Sequence, residues 1–176
     1  MTKRAKSSNN QTMLLVVKDA CLLIDLVEVG LLETWFQLGI PTHTTDLVLA
    51  EVKSYRQQIT AFVHGKTLQE HSLDATALQE TVNFSRANGI SLPDASAVVL
   101  AKQLSAMLLT GDRKLRRAAE LHQIETHGIL WILDHMVNHG ALRPKLAAQQ
   151  LESLLKRGSR YPKHECEERI QKWQNA

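Results

Sequence analysis

Short apolar runs alternate along the chain with longer stretches in which apolar residues recur at a helical period. An apolar run bounded by polar residues is typical of a strand buried on both faces. Such runs predict strands at 13–18 and 106–110, and the alternation of elements adds shorter or more polar strands at 41–45, 67–72 and 124–127. The run at 67–72 is polar and resembles an edge strand. The helical stretches lie at 21–38, 46–55, 74–88, 95–104, 113–122 and 129–138. This alternation predicts an α/β domain in which a central parallel sheet is sandwiched between helices.

The pattern changes after Gly140. Residues 143–157 and 162–173 have the periodicity of two amphipathic helices, but their apolar residues are too sparse to form an independent core. We therefore expect a polar, basic and disordered lead at 1–12, a compact domain at 13–140, and a helical C-terminal extension at 141–176. The extension must pack on the domain or on a partner.

Composition excludes several classes of protein. Hydrophobic residues make up 44% and charged residues 22% of the 176 residues, which is typical of a globular domain and excludes a disordered chain. The two cysteines, Cys21 and Cys166, have no CxxC spacing, which excludes a disulfide framework and favours a reducing compartment. No apolar run approaches the roughly 20 residues of a membrane span, and the basic start lacks the apolar region of a signal peptide. We therefore expect a cytoplasmic protein.

Four carboxylates are expected to project toward one end of the predicted sheet. Asp19, Asp94 and Asp112 fall where a strand ends or a helix begins, and Glu51 lies about one and a half turns into the helix after the second strand. Ligands of an open parallel α/β sheet bind at the carboxyl ends of its strands. Clustered carboxylates raise one another's pKa unless a cation neutralises them, and hard divalent ions with oxygen ligands do so. Two such ions would hold the attacking and leaving oxygens of a phosphodiester in line.

Basic residues follow the last of these acids. The net charge of +3 does not by itself indicate a nucleic-acid partner, but four of the five residues at 113–117 are Lys or Arg. Arg113 and Arg117 are four residues apart and so share one helix face, where they could grip the phosphates beside a cleaved bond. The alternative is an ordinary solvated helix face. Asp19, Asp94 and Asp112 likewise have an alternative role as helix N-caps, and Glu51 as a surface residue.

These residues carry a resemblance to the PIN-domain nucleases, which covers roughly residues 13–140. The matching stretches are Lys18 to Leu26, Glu51 after Thr44-Thr45, Ile90 to Ser96, and Leu109-Thr110-Gly111-Asp112. The resemblance implies a Rossmann-like three-layer sandwich and a Mg²⁺- or Mn²⁺-dependent site that cleaves single-stranded RNA. It assigns the catalytic role to Asp19, Glu51, Asp94 and Asp112, with Asp19, Asp94 and Asp112 as metal ligands and Thr110 as a supporting or substrate contact.

The resemblance also implies partners. Many members are VapC-type toxins of toxin–antitoxin pairs and are usually homodimers, so a small antitoxin protein is a candidate partner beside the RNA substrate. Gly128 to Trp131 and Arg160-Tyr161-Pro162 resemble a prokaryotic subset with a C-terminal helical extension. Two departures stand out: Ala20-Cys21 replace the polar residues that usually follow the first acid, and no further acid follows Asp112 within three residues.

Other chemistries have less support. His135 and His139 have the spacing of a helical zinc pair, and His127 is the one histidine expected near the acids. A phosphoacceptor receiver domain would need an acid pair after the first strand and a lysine after the last, and neither occurs. The main competitor of the nuclease is a catalytically silent PIN-like binding module that acts through its helical tail. The two alternatives differ in metal dependence, since a binding module would keep its interactions with its partner after the acids are neutralised.

Overall fold

A computed structural model describes residues 16–159 and 161–176 and shows a single parallel sheet flanked by helices. Its five strands lie in the order β3-β2-β1-β4-β5, so the polar strand β3 is at one edge, as predicted. The strands are β1 (Val16–Lys18), β2 (Thr42–Thr45), β3 (Leu68–His71), β4 (Met107–Leu109) and β5 (Thr126–His127). The lead at 1–12 and the first residues of the strand predicted at 13–18 lie outside the described residues.

The helices fill the connections between the strands and the C-terminal extension. They are α1 (Ala20–Glu28), α2 (Leu32–Gln37), α3 (Asp46–Glu51), α4 (Arg56–His64), α5 (Ala75–Asn88), α6 (Leu92–Leu104), α7 (Arg113–Leu121), α8 (Ile129–Asn138), α9 (Pro144–Lys156) and α10 (Lys163–Gln174). The helical stretch at 21–38 is divided into α1 and α2, because Gly30 between them adopts a left-handed conformation (φ 67°). These elements confirm the predicted α/β sandwich.

Two helix boundaries and one helix differ from the prediction. The helix expected at 46–55 ends at Glu51, where the fully buried Val52 turns the chain into a short 3₁₀ turn. Helix α4 was not predicted, because Ile59 is its only buried residue and no apolar stripe marks it. Helix α6 begins at Leu92 rather than at residue 95, since the Ser91 hydroxyl caps it by accepting from the Asp94 amide.

One hydrophobic core joins the sheet to the extension. Helix α6 lies against β1, β2 and β4, and seven successive residues of it are buried. The core continues through α8 into the last two helices, where Leu151, Leu154, Cys166 and Trp173 are buried. The extension therefore packs on the domain. None of the helices in the described part of the chain is long and apolar enough to cross a membrane.

The sheet also buries a lysine side chain. Lys18, the last residue of β1, is fully buried, and its Nζ lies 3.9 Å from the ring centroid of Trp35 without a hydrogen-bond partner among the described residues. Burial lowers the pKa of Lys18 to about 7, against the smaller opposing effect of Asp19. When the amine is protonated, the ring face of Trp35 stabilises it, and no ion pair among the described residues does so.

Candidate active site

The four acids predicted from the sequence line one cavity of about 290 Å³ at the carboxyl ends of β1 and β4. Asp19 is 2% exposed, Asp94 is half-buried, and Glu51 and Asp112 are exposed. The carboxylates thus extend from a buried floor to an open mouth. We call this space the acidic cavity. Its lining is Asp19, Ala20, Cys21, Asp25, Glu51, Asp94, Gly111, Asp112, Ser159 and Tyr161.

Two of the acids are held by helix capping. Asp19 caps α1 by accepting from the Leu22 amide at 2.9 Å, and Asp112 caps α7 by accepting from the Leu115 amide at 2.7 Å. Both caps use Oδ1, so the capping bond fixes each carboxylate while Oδ2 makes no bond to that helix. The two interpretations of these residues, as caps and as site residues, are therefore compatible.

Thr110 connects the two caps. It is fully buried at the end of β4, and its hydroxyl accepts from the Asp112 amide at 3.0 Å. A hydrogen bond from the same hydroxyl to Asp19 favours the ionised carboxylate and so opposes the rise of its pKa. Thr110 therefore supports the acids from within the protein.

Burial and mutual repulsion raise the pKa values of Asp19, Glu51 and Asp94. Burial raises the pKa of Asp19 to about 6, and the charge of Asp94 adds to this effect. The pKa of Asp94 is raised chiefly by burial and further by Asp112, while that of Glu51 is raised by burial and by Asp94. Asp94 is thus the neighbour that couples electrostatically to each of the other three acids.

The donor set fits a hard divalent cation. Within residues 16–159 and 161–176 none of the four carboxylates is in an ion pair. In the same residues no three His, Cys, Asp or Glu side chains form a ready-made metal cluster. Mg²⁺ commonly takes one or two carboxylates and retains several waters, so an open ring of oxygen donors suits it without three direct ligands. The structure thus groups Asp19, Asp94 and Asp112 in one cavity but not as a closed three-ligand site.

The C-terminal extension contributes to the same cavity. The Tyr161 hydroxyl donates to Asp25 in α1, and both side chains line the acidic cavity together with Ser159. Burial and the bond to Asp25 raise the pKa of Tyr161 above its ordinary value, so the phenol stays protonated and serves as a donor. Burial and the surrounding carboxylates also raise the pKa of Cys21 to about 12, so its thiol is not a nucleophile at neutral pH.

A second cavity of about 330 Å³ adjoins the first, since Gly111 and Tyr161 line both. We call it the arginine cavity. Its walls come from the start of α7, the β5–α8 segment and the extension. Its lining is Gly111, Arg113, Arg116, His127, Gly128, Ile129, Leu130, Trp131, Asp134, Tyr161, Pro162, Glu165 and Arg169.

The structure distributes the predicted arginines unequally. Arg113 lines the arginine cavity, whereas Arg117 is exposed and lines neither cavity. Arg116, which the sequence did not single out, lines the cavity and donates through Nη2 to the Thr110 carbonyl at 3.3 Å. A Cβ at Gly128 would lie 2.8 Å from this Nη2, so the glycine makes room for the guanidinium.

The helix histidines form a column of rings instead of a metal site. Successive ring centroids from His127 through Trp131 and His135 to His139 lie 4.8, 4.7 and 4.0 Å apart. His127 and Trp131 line the arginine cavity, whereas His135 and His139 do not. The column therefore presents its His127 end to that cavity.

Comparisons with known proteins agree with this architecture. A family model, DUF3368, described as a PIN domain, matches residues 15–175 and so includes the C-terminal extension. Among solved structures, the crystal structure of PAE2754 from Pyrobaculum aerophilum is similar, with a TM-score of 0.55 at 14% identity. That similarity covers 71% of this chain and 98% of the other. No curated protein matches the chain. The chain belongs to the PIN-domain family.

Proposed function

We propose that the protein is a metal-dependent endoribonuclease that cleaves single-stranded RNA. PIN domains are generally nucleases. The observation that supports the proposal most strongly is the acidic cavity, where four carboxylates from four separate segments meet without an ion pair among the described residues. Leaving four carboxylates unneutralised opposes folding, and a cation-dependent reaction accounts for their arrangement.

The residues of the chain have distinct roles in this proposal. Asp19, Asp94 and Asp112 would hold Mg²⁺ or Mn²⁺, directly or through its bound waters, and Glu51 at the mouth would accept a proton from the attacking water. A bound divalent ion would supply Lewis-acid activation of the water and charge stabilisation at the phosphate. Thr110 keeps Asp19 ionised and Asp112 in place. Because water rather than the ribose 2′-hydroxyl attacks, the products carry 5′-phosphate and 3′-hydroxyl ends.

Cleavage of a mixed-sequence single-stranded RNA with Mn²⁺, Mg²⁺ or EDTA tests the proposal. The decisive variant is Asp112→Asn, because asparagine keeps the N-cap of α7 and removes only the charge. Asp74→Asn is a matched control, since Asp74 caps α5 with the same geometry (2.8 Å to the Ala77 amide) but lies outside both cavities.

We expect metal-dependent cleavage by the native protein and by Asp74→Asn, and none by Asp112→Asn. Cleavage that persists in EDTA, or that Asp112→Asn retains, would contradict the assigned metal site. No cleavage by any form, on varied RNAs, would favour the silent binding module instead.

We also infer that the protein is the cytoplasmic toxin of a toxin–antitoxin pair and acts as a homodimer. Its support is the resemblance of the segment around Gly128 and of Tyr161-Pro162 to a prokaryotic subset. Expression in a bacterial host should arrest growth with the native chain but not with Asp112→Asn, and a small protein encoded beside the gene should relieve the arrest. Light scattering should give twice the monomer mass; a monomeric mass, or equal growth with both forms, would contradict this inference.

A further inference from the structure

The arginine cavity has the composition of a nucleotide-binding site and adjoins the acidic cavity at Gly111 and Tyr161. If the cleaved phosphate of an RNA strand lies at a cation held in the acidic cavity, a neighbouring nucleotide of that strand would therefore lie beside or within the arginine cavity. At about 330 Å³ the cavity lies in the size range of small-molecule sites, which begins at about 300 Å³.

The charge balance of the cavity favours an anion. Its two acids, Asp134 and Glu165, are both engaged by Arg169, at 2.7 and 3.8 Å. Arg113 and Arg116 line the same space and, among the residues that the structure describes, neither is in an ion pair. Two guanidinium groups thus remain to bind a phosphate.

The lining of the arginine cavity also includes two stacked aromatic rings. His127 and Trp131 stack with their rings 4.8 Å apart and only 20° from parallel, and they form the cavity end of the ring column. Stacking on such a platform is the usual way in which proteins hold an unpaired base, because every base has a π-face.

We propose that the arginine cavity binds one ribonucleotide of the substrate, with the base stacked on the His127 end of the column and the phosphate on Arg113 and Arg116. The C-terminal extension then has a function in substrate binding, because Tyr161 and Pro162 form a wall of this subsite. This inference rests on the proposed function, since it takes RNA as the substrate.

Binding can be measured without cleavage, in EDTA, by following the three tryptophan indole N–H signals in NMR spectra. Trp35 and Trp173 are buried and Trp131 is half-buried, and Trp131→Phe identifies its signal. The titrants are the four ribonucleoside 5′-monophosphates, with inorganic phosphate as the control. We expect a saturable shift of the Trp131 signal with nucleotides, a much smaller shift with phosphate, and an unchanged Trp173 signal; the Trp35 ring lies 6.3 Å from that of Trp131 and is not used as a reference.

Variants test the two halves of the subsite. His127→Ala should weaken nucleotide binding about tenfold, and His127→Tyr should restore it, because the tyrosine ring replaces the platform. Arg113→Gln should weaken binding about fivefold and Arg86→Gln should not, since Arg86 is exposed and lines neither cavity. An unchanged signal of the buried Trp173 shows that each variant is folded.

The proposal is overturned if the Trp131 signal does not move, if phosphate alone moves it equally, or if Arg117→Gln weakens binding as much as Arg113→Gln does. In the last case the exposed surface of α7, rather than the cavity, binds the anion. The failure of one proposal can be distinguished from the failure of the other. Nucleotide binding without any RNA cleavage would support the subsite and contradict the proposed nuclease. RNA cleavage without nucleotide binding would support the nuclease and contradict the subsite.

Discussion

The acidic cavity and the arginine cavity share Gly111 and Tyr161 but differ in how their charges are balanced. In the acidic cavity four carboxylates repel one another, and burial and this repulsion raise the pKa of Asp19 to about 6. In the arginine cavity the two acids are engaged by Arg169. The first cavity thus stores electrostatic repulsion that a cation would relieve, whereas the second has the net positive charge that suits a phosphate.

The largest expected effect is the loss of cleavage in Asp94→Asn, because Asp94 couples to the other three acids. We expect a decrease of about a hundredfold or more, since one charged oxygen donor to the cation is lost. Initial rates of RNA cleavage in Mn²⁺, compared with those of Asp74→Asn, measure it. Rates within a few-fold of the native protein would remove Asp94 from the site.

The second effect concerns stability without metal. A pKa raised from 3.8 to about 6 means that the folded state binds the Asp19 proton more tightly than the unfolded state does. The stability that this proton provides is complete below pH 3.8 and is lost as the pH rises through about 6. Asp19→Asn keeps the cap of α1 and removes this dependence.

We therefore expect Asp19→Asn to be more stable than the native protein at pH 7, by about 1–3 kcal/mol in EDTA, with the difference vanishing near pH 4. Denaturant unfolding at both pH values measures it. Mn²⁺ should stabilise the native protein and leave Asp19→Asn almost unchanged. If Asp19→Asn is less stable than the native protein at pH 7, groups within the protein itself stabilise the ionised Asp19 carboxylate and offset the cost of burying it.

The third effect concerns the side chain that both cavities share. Tyr161→Phe keeps the ring between the cavities but loses the hydrogen bond to Asp25, so we expect a loss of about 1 kcal/mol of stability. Tyr161→Ala also removes the wall, and RNA should then bind more weakly than to Tyr161→Phe. Thermal unfolding and RNA affinity in EDTA measure the two effects separately. Equal affinities of the two variants would show that the ring does not contact RNA.

The smallest effect comes from Arg169, which pairs with the two acids of the arginine cavity. Arg169→Gln leaves the half-buried Asp134 unpaired and lowers the positive charge beside Arg113 and Arg116. We expect RNA affinity to fall about threefold at low salt and the difference to shrink at high salt. Lys102→Gln is the control, because its pair with Glu80 is exposed and outside the arginine cavity. An equal effect of both variants would indicate a long-range effect of net charge.

The part of the site that could be predicted from the sequence is the part that local geometry fixes. Asp19 and Asp112 each follow a buried strand and cap the next helix through an amide three residues ahead. Such a contact spans one turn, so a short stretch of sequence contains it. Parallel strands then bring these caps to one edge of the sheet.

The rest depends on contacts between distant parts of the chain. Tyr161 reaches Asp25 across 136 residues, and no local pattern marks that pairing. Arg116 and Arg117 differ by one helix position, about 100° around the axis, and the path of the β5–α8 segment decides which of them lines a cavity. Helix α4 could not be predicted for a different reason: Ile59 is its single buried residue, so its sequence has no apolar periodicity.

Substitutions of Gly128 can test one of these contacts, the one between Gly128 and the Arg116 guanidinium. Its backbone lies in the extended region (φ −123°, ψ −166°), which any residue adopts, so the backbone imposes no need for glycine. A Cβ at this position would stand 2.8 Å from Nη2 of Arg116 and 3.4 Å from the Thr110 carbonyl oxygen, so a side chain there would displace the guanidinium from its place in the arginine cavity. Under selection for RNA cleavage, the tolerance of codon 128 to substitution therefore reports how much this arginine matters to fitness.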